Sequence, residues 1–310
     1  MIKVKDLNMG LRVVEPYLIR NVTNGVSNNG SPYLTLELMD NTGTIEAKIW
    51  DASQYDIDNL TQGKIVRITA DVQEYRDRLQ LKVVKYDLLK ADDYNLDEFV
   101  QSSPVPREEL ERRLDEVLAS FTNEDVKKII DYIFAKAKDA FMASPAATKN
   151  HHEYLGGLVE HTLSMVTIGE FLAKHYENVD RDILIAGILL HDIGKTKELS
   201  GPLITHYTTE GKLLGHISIA SAAILNAGKE LNITSEVPVL LAHMVLSHHG
   251  KLEFGSPVVP MTKEAFLLSM IDNLDSKMKI IDKTLAVTEP GEFTDRIWAL
   301  DNTTFYNPED

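Results

Sequence analysis

The chain has 310 residues, room for two domains, and its 44% hydrophobic and 25% charged residues are a globular composition, too apolar for a disordered chain. It contains no cysteine, which rules out disulfides and thiolate metal sites. The net charge of -15 is unevenly carried: residues 1–90 hold 12 basic and 12 acidic side chains, whereas residues 91–310 hold 20 and 35, which argues against broad, nonspecific binding of duplex DNA.

The first ten residues lack the apolar run of a signal peptide, and a soluble cytoplasmic protein with no membrane partner is expected. Residues 11–88 read as short strands. Leu11–Val22 is the first. Pro32–Met39 alternates through Leu34, Leu36 and Leu38, turns at Asp40-Asn41-Thr42-Gly43, and alternates again over Thr44–Trp50 through Ile45, Ala47 and Ile49. Lys64–Val72 and Leu79–Leu88 complete five strands, with a short helix, Ala52–Leu60, between the third and fourth. Five strands with a helix in that gap is the order of an OB-fold. Such barrels hold single strands on aromatic and basic side chains. Tyr33 and Trp50 on strands two and three are therefore candidate nucleic-acid contacts, as are Tyr75, Arg76 and Arg78 in the loop between strands four and five. Each aromatic can equally be a core residue of a small barrel.

Helical periodicity starts near Arg107, with Leu110, Leu114, Val117 and Leu118, and persists to about Lys283. The expected fold is multidomain α and β: a five-stranded OB-fold barrel at 1–90, a connector and leading helices at 91–149, an all-α domain at 150–283 and a tail at 284–310. Ile183–Leu190, the longest apolar stretch, is too short to cross a bilayer. It ends in His191-Asp192, and such a polar pair closing a buried helix is costly unless both side chains find partners. A second pair, His248-His249, precedes Gly250 at another helix end. With His161, His216 and Asp272 these make five imidazoles and two carboxylates, the donor types that hold two closely spaced divalent metals. Adjacent helical residues point about 100° apart, so Asp192 can straddle two ions through its two oxygens. Mixed nitrogen and oxygen donors favour manganese, iron or cobalt over structural zinc. His175 and His243 read as ordinary hydrogen-bonded histidines, and His206, in a polar loop, as a surface histidine or a substrate contact.

His161, His191-Asp192 and Asp272 match the H…HD…D pattern of HD-domain phosphohydrolases, and His216 and His248-His249 match the subset that binds two metals. By that resemblance His161, His191, Asp192 and Asp272 hold the first ion, and Asp192, His216, His248 and His249 the second. Asp192 is then a catalytic residue, together with Lys195, which approaches the substrate phosphate. His151 and His152, close before His161, are candidates for a role behind the ligands or on a phosphate, or for a structural one.

The module order, with the run His151-His152-Glu153-Tyr154-Leu155-Gly156-Gly157-Leu158-Val159-Glu160-His161-Thr162, resembles the YhaM family of 3′→5′ exoribonucleases over nearly the whole chain. This resemblance implies manganese- or cobalt-dependent removal of nucleotides from single-stranded 3′ ends, release of nucleoside 5′-monophosphates, and a homo-oligomer. Single-stranded RNA is the expected substrate, with single-stranded DNA a second candidate. Two alternatives stand beside it: a phosphohydrolase of a small nucleotide, against which the strand-binding module counts, and a non-catalytic nucleic-acid-binding factor, against which the complete donor set counts.

Overall fold

A long first strand, β1 (Arg12–Val26), does two jobs in the barrel. In the computed structural model, which describes residues 2–76, 78–90, 93–100, 103–145, 154–201 and 205–309, its first half pairs with β4 (Ile65–Tyr75) and its second half with β2 (Pro32–Asp40). An irregularity between Ile19 and Asn21 bends the strand between these partners, as a β-bulge does. With β3 (Gly43–Trp50) and β5 (Arg78–Leu88) the sheet closes in the order β1-β2-β3-β5-β4. Among the described residues only β3 and β5 pair in parallel. The alternation read from the sequence is the barrel interior: Leu34, Leu36, Leu38, Ile45, Ala47, Ile68 and Ala70 are buried. The expected helix is α1 (Gln54–Asn59), started by a capping box between Ser53 and Asp56.

Two strand ends lie at least three residues beyond expectation. β1 runs on to Val26, and β4 to Tyr75, which pairs with Arg78 as the first residue of β5. Tyr75 and Arg78 therefore flank the β4–β5 turn rather than lie in it, and of the three residues assigned to that loop only Arg76 does. Ladder hydrogen bonds continue past the last apolar side chain, so the end of apolar alternation does not mark the end of a strand.

The chain divides into two compact units, Met1–Ser102 and Ser103–Asp310. The second is helical: α2 (Arg107–Ala119), α3 (Glu124–Ala143), α4 (Gly157–His175), α5 (Arg181–Leu190), α6 (Lys195–Glu198), α7 (Thr209–Glu230), α8 (Val237–Ser247) and α9 (Lys263–Leu285). From Ile183 onward α5 is apolar all round because it is the centre of the unit. Asp182 to Leu190 are all buried, against α4, α8 and α9. A two-stranded pair, β6 (Leu199–Ser200) and β7 (His206–Tyr207), has no counterpart in the sequence reading. Residues 293–306 fold back on themselves through Phe293–Tyr306 and Ile297–Thr303 bridges. Among the described residues, no helix is long and apolar enough to cross a membrane.

Candidate metal centre

Five helices deliver the seven selected side chains to one place. α4 carries His161, and α9 carries Asp272. His191-Asp192 and His248-His249 emerge where the buried helices α5 and α8 end. His216 follows a break in α7: Gly215 has φ +71°, a conformation that costs glycine little, and the helix restarts at a new angle beyond it.

The donors converge. His161 Nε2 lies 3.3 Å from Asp272 Oδ1, and His191 Nε2 lies 3.2 Å from Asp192 Oδ2. The other oxygen of Asp192 faces His216 Nε2 at 3.3 Å and His248 Nε2 at 3.9 Å. Donor atoms of His161, His191 and Asp192 lie within 4.8 Å of one another, as do those of His216, His248 and His249.

Each imidazole has its Nδ1 engaged elsewhere. His191 donates to the Ile188 carbonyl at 2.7 Å, His248 to Val245 at 2.7 Å and His249 to Phe254 at 2.8 Å. His161 Nδ1 meets Asp275 Oδ2 at 2.7 Å and His216 Nδ1 meets Glu198 at 3.1 Å. A ring whose Nδ1 proton is given to a carbonyl has a bare lone pair on Nε2. The Nε2 atoms of His191, His216 and His248, with Asp192 Oδ1, have no hydrogen-bond partner although buried. Lone pairs of imidazole and carboxylate facing each other repel unless a cation lies between them. The donor set therefore fits divalent ions.

The charge state of His248 agrees. Burial foremost pulls it down to about 3, leaving it an unprotonated donor. Burial opposes charge on Asp192, but Lys195 foremost outweighs it and holds the carboxyl well below its ordinary range; His161 foremost does the same for Asp272. Burial also opposes charge on His161, yet Asp272 and Asp275 on either side push it up to about 9, so this ring carries a proton that an ion would have to displace from Nε2. Lys195 opens α6 and puts its ammonium 2.6 Å from Asp192 Oδ2. Burial lowers its affinity for a proton, and Asp192 more than restores it.

Asp275 and Glu198, which hold the Nδ1 atoms of His161 and His216, are functional candidates absent from the sequence expectations, and Glu160 is a buried structural acid. Asp275 lies one turn beyond Asp272 on α9, and its other oxygen takes the Ser164 hydroxyl. Glu198 also accepts the His216 backbone N–H at 3.1 Å. Glu160, beside His161, gathers Ser103 at 2.6 Å, Tyr154 at 2.9 Å and Lys279 at 3.2 Å. A second acid one turn after a ligand was the available signal for Asp275. His151 and His152 lie outside the described residues. His243 accepts the Met261 N–H at 3.0 Å and is kept neutral by burial, as expected of an ordinary histidine.

On the barrel, Tyr33 and Trp50 are cross-strand partners with ring centroids 5.1 Å apart. Neither is core. The Tyr33 ring lies over Gly25 of β1, where an added Cβ would come within 2.3 Å of it, and Trp50 is 49% exposed. Tyr75, Arg76 and Arg78 line the other end of the same face, a groove of about 1140 Å³ that also holds Thr35, Glu37 and Glu46.

Residues 158–277 match the HD domain model, and residues 18–89 match that of an OB-fold nucleic-acid-binding domain. The chain is similar to the 3'-5' exoribonuclease YhaM of Bacillus subtilis (strain 168), with 44% identity over 97% of this chain and 96% of that one. It is also similar to the 3'-5' exoribonuclease YhaM of Geobacillus sp. (strain WCH70), with 46% identity over 94% and 90%. Among solved structures, the HD domain of the phosphodiesterase PgpH from L. monocytogenes aligns with 55% of this chain and 77% of its own, at 17% identity and a TM-score of 0.29, a likeness too slight to carry an argument.

Proposed function

This chain belongs to the YhaM family of 3′→5′ exoribonucleases, and on that premise we propose that it removes nucleotides from the 3′ end of single-stranded RNA as 5′-monophosphates. Its relatives cover its two modules from end to end, so the barrel and the helical centre are read together. We assign His161, His191, Asp192 and Asp272 to one ion and Asp192, His216, His248 and His249 to a second. Manganese suits this mixture of imidazole and carboxylate, with cobalt or iron as alternatives. Bound there, divalent ions supply Lewis acidity toward the phosphodiester and lower the pKa of water.

The residues themselves do the rest. The two oxygens of Asp192 face different histidines, which supports its place between the two ions. Lys195 keeps a positive charge beside Asp192 and offsets charge that develops on the nonbridging phosphate oxygens. The backbone carbonyls and acids on Nδ1 hold each ring in one tautomer and one orientation, so little reorganisation is needed when substrate arrives. Trp50 and Tyr33 stack bases of the upstream strand, and Tyr75, Arg76 and Arg78 extend that contact. Single-stranded DNA, which offers the same stacking and phosphates, is a second substrate in this reading. Membership in the family supports a cytoplasmic homo-oligomer.

The observation that carries this conclusion is the inward turn of the imidazole Nε2 atoms around Asp192, on a chain that also contains a strand-binding barrel. Purified protein with Mn²⁺ and 5′-labelled single-stranded RNA tests it. A ladder shortening from the 3′ end, with 5′-monophosphates released, is expected. Intact RNA alongside a hydrolysed mononucleotide would assign the centre to a small substrate instead.

A further inference from the structure

Of the five imidazoles, His249 is held differently. The Nδ1 partners of His191 and His248 are carbonyls of their own helices, and those of His161 and His216 are buried acids. His249 instead donates to the carbonyl of Phe254, on the short loop that follows α8. Leu252–Phe254 form one 3₁₀ turn there, closed by the Gly255 N–H on the Leu252 carbonyl at 3.0 Å. The turn keeps its backbone on the metal centre and its side chains in solvent. Phe254 is 60% exposed and Leu252 64%. The ammonium of Lys251 lies 5.2 Å from the centre of the Phe254 ring and 3.2 Å from Glu253.

An exposed phenylalanine whose own carbonyl orients a candidate ligand offers a flat apolar face beside the metal centre. A nucleobase matches that face. Stacking on an aromatic ring accepts any base, because every base has a π-face. An exonuclease must accept each base in turn, so a platform of this kind suits it better than hydrogen-bond readout. We infer that Phe254 is the stacking platform for the base of the nucleotide being removed. The inference rests on the exonuclease reading above and adds to it a subsite for the leaving nucleotide. Phe254 also acts as a positioning residue, since its carbonyl orients His249 and a base seated on its ring steadies the turn that carries that carbonyl.

The test compares full-length wild type and Phe254→Ala, both loaded with Mn²⁺. Phe254→Ala keeps the backbone carbonyl, so metal content per chain should match wild type, which separates loss of the platform from collapse of the centre. Two RNAs are used, one ending in an ordinary nucleotide and one in an abasic nucleotide. Wild type should favour the ordinary end by about tenfold in kcat/KM, the ratio one stacking contact supplies. Phe254→Ala should bring that ratio to about one, and Phe254→Trp should restore it. A wild-type ratio in Phe254→Ala would overturn the inference. Equilibrium binding of AMP against ribose 5-phosphate gives the same comparison without turnover. If wild type cleaves neither RNA, the exonuclease reading fails. A preference for AMP that Phe254→Ala lacks would then still support the platform, and equal binding of both ligands by wild type would sink it.

Discussion

An imidazole with its Nδ1 proton committed has one lone pair left to give, and where that lone pair points is decided by the atom that holds Nδ1. Asp275 decides this for His161, and Glu198 for His216. Asp275→Asn keeps an oxygen in place but removes the charge behind the ring. Its Mn²⁺ affinity should fall by about 10–100-fold, the usual loss when a partner behind a ligand is removed. Calorimetric titration of the metal-free proteins would read this, and an affinity equal to wild type would show that Asp275 is merely structural. At this scale the sequence was only partly legible. The pair His191-Asp192 stood out because polar residues closing an apolar helix demand partners. Asp275 and Glu198 did not, because spacing along the chain does not reveal which acid faces an Nδ1. The Phe254 carbonyl was beyond reach, since every residue carries the same backbone oxygen.

Helices set the site by how closely they approach. A Cβ on Gly194, between Asp192 and α6, would lie 2.1 Å from the backbone oxygen of His216. Gly194→Ala must push the α6 segment away from α7, at a cost of about 1–3 kcal/mol. His216 should move with it, and bound metal should fall from two ions per chain toward one with the helical circular dichroism retained; two ions per chain would refute the tight approach. Asp182 plays a different part, joining α5 to the start of α3. It is buried and accepts the Thr122 and Asn123 N–H groups, both at 2.7 Å, the Thr122 hydroxyl at 2.9 Å and Arg181 at 2.9 Å. Burial would raise its pKa, but these donors outweigh burial and lower it from 3.8. A depressed carboxylate stabilises the fold above its unfolded pKa and loses that contribution as pH falls through the folded one. Asp182→Asn should therefore cost about 2 kcal/mol at neutral pH, with the same deficit at pH 5 and a smaller one at pH 3.5. Urea unfolding at the three values would show it; a deficit that does not shrink at pH 3.5 would exclude a charge effect. Elements with a strong period were legible in advance. The two-residue strands β6 and β7 were not, because a bridge that short has no pattern of its own.

At the scale of the molecule, charge and stacking are assigned to different units. The neutral barrel offers exposed rings, while the acidic helical unit relies on bound cations at its centre. Both modules were legible because each has its own period and strand or helix order. Trp50→Ala should weaken binding of a long single-stranded RNA by about tenfold, the loss of one stacked base, while cleavage of a dinucleotide changes far less; equal loss on both substrates would move Trp50 out of the strand-holding role. Catalysis as proposed depends on Asp192 lying between two ions. Metal analysis of the wild-type protein and Asp192→Ala after equilibration with Mn²⁺, read beside RNA cleavage by each, tests that most directly. Two ions per wild-type chain are predicted, with fewer than two in Asp192→Ala, a loss of turnover of at least about 10³-fold, and an intact helical spectrum. One ion per wild-type chain, or an Asp192→Ala protein that keeps both ions and still shortens RNA, would contradict it.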